Sequence, residues 1–140
     1  AAREQAALSD KSCSFNGIRV LLVEDNEITA DVLSDILELM GLRVIRAENG
    51  EKAVRIFEKE GDSFDLILMD VQMPVMDGYE ATRRIRGMKG KGRTIPIAAL
   101  TGNVFSEDIQ ASREAGMDCH LSKPVKKKEL ERVLTQLLSR

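Results

Sequence analysis

Two hydrophobic patterns alternate along the chain. Short apolar runs occupy Ile18–Val23, Leu42–Ala47, Leu66–Met69, Ile95–Leu100 and Asp118–Leu121. They are too brief for helices and suit strands buried in a sheet. The segments between them repeat their apolar residues at helical spacing. From Glu27 to Met40 the stripe is Val32, Leu33, Ile36, Leu37 and Met40. From Glu51 to Lys59 it is Ala53, Val54, Ile56 and Phe57, and from Tyr79 to Arg86 it is Ala81 and Ile85. A further helix is expected over Ser106–Ala115, and a last one over Lys126–Leu138 with Leu130, Val133, Leu134, Leu137 and Leu138 on one face. Asn26 is a good N-cap, and Gly41 and Gly116 are natural helix ends. Pro96 stands near the start of the fourth strand, where a missing N–H is tolerable. Five strands alternating with five helices predict a parallel sheet covered on both faces. Residues 1–16 lack a clear core and read as a linker or tail, leaving 17–140 as the folded domain.

Composition narrows this picture. The 140 residues suit one domain with one core, and with 43% hydrophobic residues and no Trp that core is aliphatic. A net charge of −2 gives no electrostatic reason to bind nucleic acid or anionic membrane. No apolar stretch approaches the roughly 20 residues needed to span a bilayer. The two cysteines, Cys13 and Cys119, are far apart and read as free thiols in a reducing compartment. A soluble, cytoplasmic domain is expected, with any membrane anchor elsewhere in a longer parent chain.

The chemistry is concentrated where the predicted strands end. The first strand ends in Glu24-Asp25, the third in Asp70, the fourth in Thr101, and Lys123-Pro124 follows the fifth. In an open parallel sheet, ligands gather at the carboxyl ends of strands. Each residue alone has a structural reading: acids cap helices or turns, threonines close strands, and a lysine before proline is usually solvated. Together they describe a site. Clustered carboxylates repel one another unless a cation relieves them. Oxygen ligands without nearby His or Cys point to Mg²⁺. With Mg²⁺, Lys123, the Thr101 hydroxyl and backbone N–H groups after Asp70, a phosphoryl group could be held, with Asp70 as its nucleophile.

The motifs LLVEDNE, LILMDVQMPVMDG, ALTGN and HLSKP make the chain, from about Ile18 to Leu138, resemble the receiver domain of two-component response regulators. The stretches LMDVQMPVMDGYEATRRIR and AGMDCHLSKPV are most similar to receivers attached to hybrid sensor histidine kinases. The resemblance implies a flavodoxin-like (βα)5 fold with strand order 2-1-3-4-5. It implies that Asp70 is the phospho-acceptor, Asp25 a direct Mg²⁺ ligand and Glu24 a ligand through water. The main-chain carbonyl of Gln72 becomes a further metal ligand, Thr101 the switch hydroxyl and Lys123 the phosphate-pairing lysine. The Lys123–Pro124 bond should be cis. The expected partners are the phosphohistidine domain of a histidine kinase or a histidine phosphotransfer protein. The isolated domain is expected to be an acceptor with slow autodephosphorylation rather than an enzyme; a stand-alone receiver and one carried by a hybrid histidine kinase are both open.

Two departures stand out. The first acid is Glu where Asp is frequent, an extra methylene the site should tolerate. His120, the only histidine, occupies the position where the family usually has the Tyr or Phe that swings inward when the threonine moves. It reads as a shorter working switch, a surface residue with a weaker coupling role, or a partner contact. Ile28, one turn beyond Asp25, is proposed to anchor the docking partner. Gln72 and Asn103 are expected to set water access to the acyl phosphate. The competing function is a Mg²⁺-dependent phosphatase with an Asp nucleophile. Such enzymes usually carry a second Asp two residues on, where this chain has Gln72. An FMN-binding module on the same fold would need a Ser/Thr/Gly-rich first loop rather than Glu24-Asp25.

Overall fold

The computed structural model of the chain describes residues 15–73, 75–102 and 106–138, without the side chains of 106–108. Five strands alternate with five α-helices: β1 Arg19–Val23, α1 Glu27–Leu39, β2 Arg43–Ala47, α2 Gly50–Glu60, β3 Leu66–Asp70, α3 Gly78–Arg86, β4 Ile97–Thr101, α4 Ser106–Ala115, β5 Cys119–Ser122 and α5 Lys127–Leu138. The strands form one parallel sheet in the order β2-β1-β3-β4-β5. This is the doubly wound, flavodoxin-like arrangement that the alternation and the resemblance led us to expect.

The helix starts follow the sequence. Asn26, Asn49 and Asp77 are extended N-caps whose side chains accept the N–H three residues on, at 3.0, 2.8 and 2.9 Å. Gly41 and Gly116, with φ of 98° and 108°, lie just past α1 and α4, where a side chain would be strained. Pro96 lies just outside β4, and its carbonyl accepts the Ile67 N–H at 2.9 Å. The glycine- and lysine-rich loop after α3 contains a 3₁₀ turn at Gly90–Arg93.

Strand alternation divides the core in two. Val20, Leu22, Leu66, Leu68, Ala98, Leu100 and Leu121 face α1 and α5. Leu21, Val23, Ile67, Met69, Ile97 and Ala99 face α2 and α3. Phe15, ahead of the expected domain start, is buried in the first of these layers. The α1 stripe differs from the expected one. Ala30, Leu33, Leu37 and Met40 are buried, Ile36 is half-buried, and Val32 is 53% exposed. The inward face is the 30-33-37-40 line, on which a small alanine counts as core. Val32 lies about 100° around the helix from Leu33 and falls outside it.

Candidate functional site

Every chemistry-bearing residue named from the strand ends lies at the carboxyl edge of the sheet. Beyond β1, the Glu24 N–H donates to Ala47 O at 3.1 Å, extending the ladder by one residue and holding the Glu24 backbone in the sheet. Its side chain is fully buried, whereas Asp25, one residue on, is exposed. All of β3 is buried, including Asp70 at 2% exposure. Asp70 pairs with Leu100, and Thr101 pairs with Ser122 one step further along the sheet. The Lys123 N–H donates to Thr101 O at 2.8 Å, and a cis Lys123–Pro124 peptide follows.

Gly78 lets α3 begin directly against Asp70. A Cβ there would lie 2.2 Å from Asp70 O and 2.9 Å from Val71 Cα, so only glycine permits the approach.

The Lys123 ammonium bridges the acids, with Nζ 2.9 Å from Glu24 Oε1 and 3.1 Å from Asp70 Oδ2. Asp70 Oδ1 accepts the Gln72 N–H at 3.1 Å, and Glu24 Oε2 accepts the Asn26 N–H at 3.2 Å. The Val71 N–H is engaged with Leu100 O at 3.1 Å. The backbone support expected after Asp70 therefore comes from Gln72, whose side chain is exposed. Glu24, Asp25 and Asp70 each bring one carboxylate oxygen within 4.8 Å of the other two.

Burial, together with the hydrogen bond and negative charge of Glu24, pushes the Asp70 carboxyl up to about 7, against the pull of the Gln72 N–H and Lys123. Burial works against the charge on Lys123, but its bonds to Glu24 and Asp70 outweigh burial and hold its pKa above the ordinary lysine value. The acids thus outnumber their internal counter-ion.

This donor set fits Mg²⁺. It consists of hard carboxylate oxygens, with neither imidazole nor thiol among them. Glu24 Oε1 is completely buried and meets Lys123 only as an ion pair, without a well-directed hydrogen bond. A buried carboxylate oxygen whose ammonium partner is shared with Asp70, beside an exposed Asp25, is a place where a hydrated cation belongs.

Sequence reasoning gave Arg46 no site role, yet it reaches the acidic loop. Its Nε and Nη2 donate to Glu24 O at 3.2 and 3.0 Å, and Nη2 also reaches Asp25 O at 3.3 Å. The available signal was positional: β2 neighbours β1 in the sheet, so the last residues of β2 border the acids.

The remaining expected residues are more dispersed. Thr101 is 7% exposed at the end of β4. His120 is half-buried on β5, opposite Ala99 and on the α2–α3 side of the sheet. It borders a cleft of about 290 Å³ shared with Ser112, Arg113 and Arg132. Ile28 is 75% exposed and, with Val32, Leu33, Pro124 and Val125, lines a mostly apolar groove of about 380 Å³ that reaches Lys123. Asn103 lies outside the described residues. No helix among the described residues is long and apolar enough to cross a membrane.

Comparison with known proteins agrees with this geometry. Residues 20–135 match the family model described as the response regulator receiver domain. Over 121 residues the chain is 48% identical to the two-component response regulator ORR41 of Oryza sativa subsp. japonica, covering 85% of this chain and 93% of that protein. Other curated relatives are far longer, and the chain spans only 7% to 17% of them; several are histidine kinases. Among solved structures, it resembles the receiver domain of the sensor histidine kinase PA1611 from Pseudomonas aeruginosa PAO1, which has a magnesium ion coordinated in its active-site cleft. The TM-score is 0.81 at 42% identity, covering 89% of this chain and 99% of that one. It also resembles the receiver domain of the Saccharomyces cerevisiae response regulator Ssk1, solved with the histidine phosphotransfer protein Ypd1. Here the TM-score is 0.81 at 31% identity, covering 89% and 91% of the two chains.

Proposed function

The chain belongs to the response regulator receiver family of two-component systems, and from that premise we propose that Asp70 is its phospho-acceptor and takes a phosphoryl group from a phosphohistidine. One observation carries the assignment: the buried Asp70 carboxylate shares the Lys123 ammonium with Glu24 and has an oxygen within 4.8 Å of one from each of Glu24 and Asp25. A structural carboxylate would not be surrounded by like charge. An Asp that must exchange a phosphoryl group beside a cation has reason to be.

In the reaction, an Asp70 oxygen attacks phosphorus. The new O–P bond forms as the P–N bond to the donor imidazole breaks, and the departing imidazole takes a proton. The Gln72 N–H orients the carboxylate. Lys123, already within 3.1 Å of Asp70, pairs with the phosphoryl oxygens as negative charge is transferred. Thr101, at the end of the neighbouring strand, offers its hydroxyl to the new group. Asp25, Glu24 and Asp70, with the Gln72 carbonyl, would hold Mg²⁺, which when bound neutralises the acids and the phosphoryl oxygens. The magnesium ion coordinated in the active-site cleft of the related PA1611 receiver supports Mg²⁺ as the cation.

The partner is the phosphohistidine-bearing domain of a kinase or a histidine phosphotransfer protein. The exposed Ile28 and the apolar groove beside Lys123 support docking there, as does the Ypd1 complex of the related yeast receiver. In the cytoplasm, possession of the phosphoryl group shifts the population of conformations around the Thr101 loop and His120. The isolated domain is an acceptor with slow self-dephosphorylation rather than a turnover enzyme.

The test is incubation with a small phosphodonor followed by intact mass. The parent gains one phosphoryl group only with Mg²⁺, the adduct is labile to base, and Asp70→Asn gains none. A stable adduct in Asp70→Asn would overturn the assignment.

A further inference from the structure

An arginine near the end of an edge strand ordinarily extends into water, where its charge discourages further strand addition. Arg46 is half-buried instead and folds back over the loop between β1 and α1. Its fork of donors takes the main-chain oxygens of two consecutive residues, Glu24 at 3.2 and 3.0 Å and Asp25 at 3.3 Å. Those two residues are the acidic pair.

We propose that Arg46 is a positioning residue of the cation site, fixing the backbone from which Glu24 and Asp25 reach the metal. Holding both carbonyls fixes the planes of the peptides that follow Glu24 and Asp25. That sets the direction in which the Asp25 side chain leaves an otherwise exposed loop. It also sets the direction of the Asn26 N–H, the group that donates to Glu24 Oε2 at 3.2 Å. Asp25 is thereby held through its backbone, and Glu24 through its backbone and through Asn26. Partners behind the ligands of a metal commonly act in this way, orienting ligands without touching the ion.

Charge and geometry make opposite predictions, which is what allows a decisive test. A guanidinium beside the acids repels a divalent cation, so if charge were its whole effect, removing it would tighten Mg²⁺ binding. If Arg46 positions the loop, removing it weakens binding despite the lost repulsion. Lysine keeps the charge but is a point donor and cannot reproduce the fork.

The inference rests on the acidic triplet being a Mg²⁺ site, and the experiment separates the two. The metal-free, unphosphorylated domain is titrated with MgCl₂ and followed by backbone amide shifts, for the parent, Arg46→Met and Arg46→Lys. Both variants should bind roughly tenfold more weakly, the lower end of the range for groups behind metal ligands. In an Asp25→Asn background, Arg46→Lys should cost clearly less than in the parent, because one of the two ligands it positions is already disabled. Unchanged or tighter binding in Arg46→Met overturns the proposal. So does an equal loss from Arg46→Lys in both backgrounds, which would mean a general effect on the fold. If Arg46→Met does not fold, Arg46→Lys alone decides, equal affinity with the parent being the refuting result. A parent that neither binds Mg²⁺ nor forms a Mg²⁺-dependent adduct refutes the receiver chemistry itself, and the positioning role with it.

Discussion

Replacing Asp70 with Asn should stabilise the metal-free domain, although it removes the reactive group. The reason is electrostatic. Asp70 is buried beside Glu24, and its carboxyl is raised from 3.8 to about 7. A group whose folded pKa lies above its unfolded value binds its proton more tightly when folded. Its stabilising contribution is complete below 3.8 and is lost as pH rises through about 7. At about 1.4 kcal/mol per pH unit, the full rise corresponds to roughly 4 kcal/mol. Between pH 5 and pH 8 the parent should lose roughly 3 kcal/mol through this one group, whereas Asn, which does not titrate, loses nothing there. Asn still offers an acceptor to the Gln72 N–H but gives up the bond to Lys123, so its net advantage at pH 8 should be nearer 2 kcal/mol. Urea unfolding in EDTA at several pH values measures this directly. The advantage of Asp70→Asn should be largest at pH 8 and fall by roughly 3 kcal/mol by pH 5, where the parent becomes the more stable of the two by about 1 kcal/mol. Millimolar Mg²⁺ at pH 8 should also narrow it, since only the parent gains by binding. A gap of the same size at both pH values would refute the reasoning.

Three further outcomes follow from the geometry. Val75 sits exposed at φ 73°, a region costing a β-branched residue about 1–3 kcal/mol, so Val75→Gly should raise stability by about 1 kcal/mol in urea after glycine's own entropic cost. Ile28→Asp should slow transfer from a phosphohistidine donor roughly tenfold, equivalent to about 1.4 kcal/mol of docking energy, while uptake from a small phosphodonor stays unchanged; equal rates with the protein donor would remove Ile28 from the interface. His120→Tyr should alter partner binding or dimerisation more than the rate of phosphorylation, and identical partner affinities for both variants would show that His120 does not report the state of the site.

The strand ends were legible because parallel strands joined by helices must all finish at one edge of the sheet. Once Val23, Asp70 and Leu100 are recognised as ending or nearly ending strands, Glu24, Asp25, Asp70 and Thr101 become neighbours without any knowledge of side-chain conformation. Lys123 was legible for the same reason, although the bridge it makes between Glu24 and Asp70 depends on tertiary placement. Arg46 was legible only in part. The strand order implied by the resemblance sets β2 beside β1, but local pattern does not give the register that sets Val23 beside Ala47, and an arginine on an edge strand looks solvated. Val32 misled because its bulk outweighed its phase. Ala30 carries the buried line, and so small a side chain gives little hydrophobic signal. The exposure of Val32 then supplies part of the wall of the groove beside Lys123.

The one-way sheet also determines how the domain can be wired into a longer polypeptide. All five strands run toward the reactive edge, and each helix carries the chain back. The chain therefore enters β1 and leaves α5 at the opposite pole, where Ile18 and Leu138 border the same hollow. Flanking segments attached there approach from behind the chemistry. The module can be spliced between other domains, or moved from one host to another, with its reactive face still open to a visiting partner.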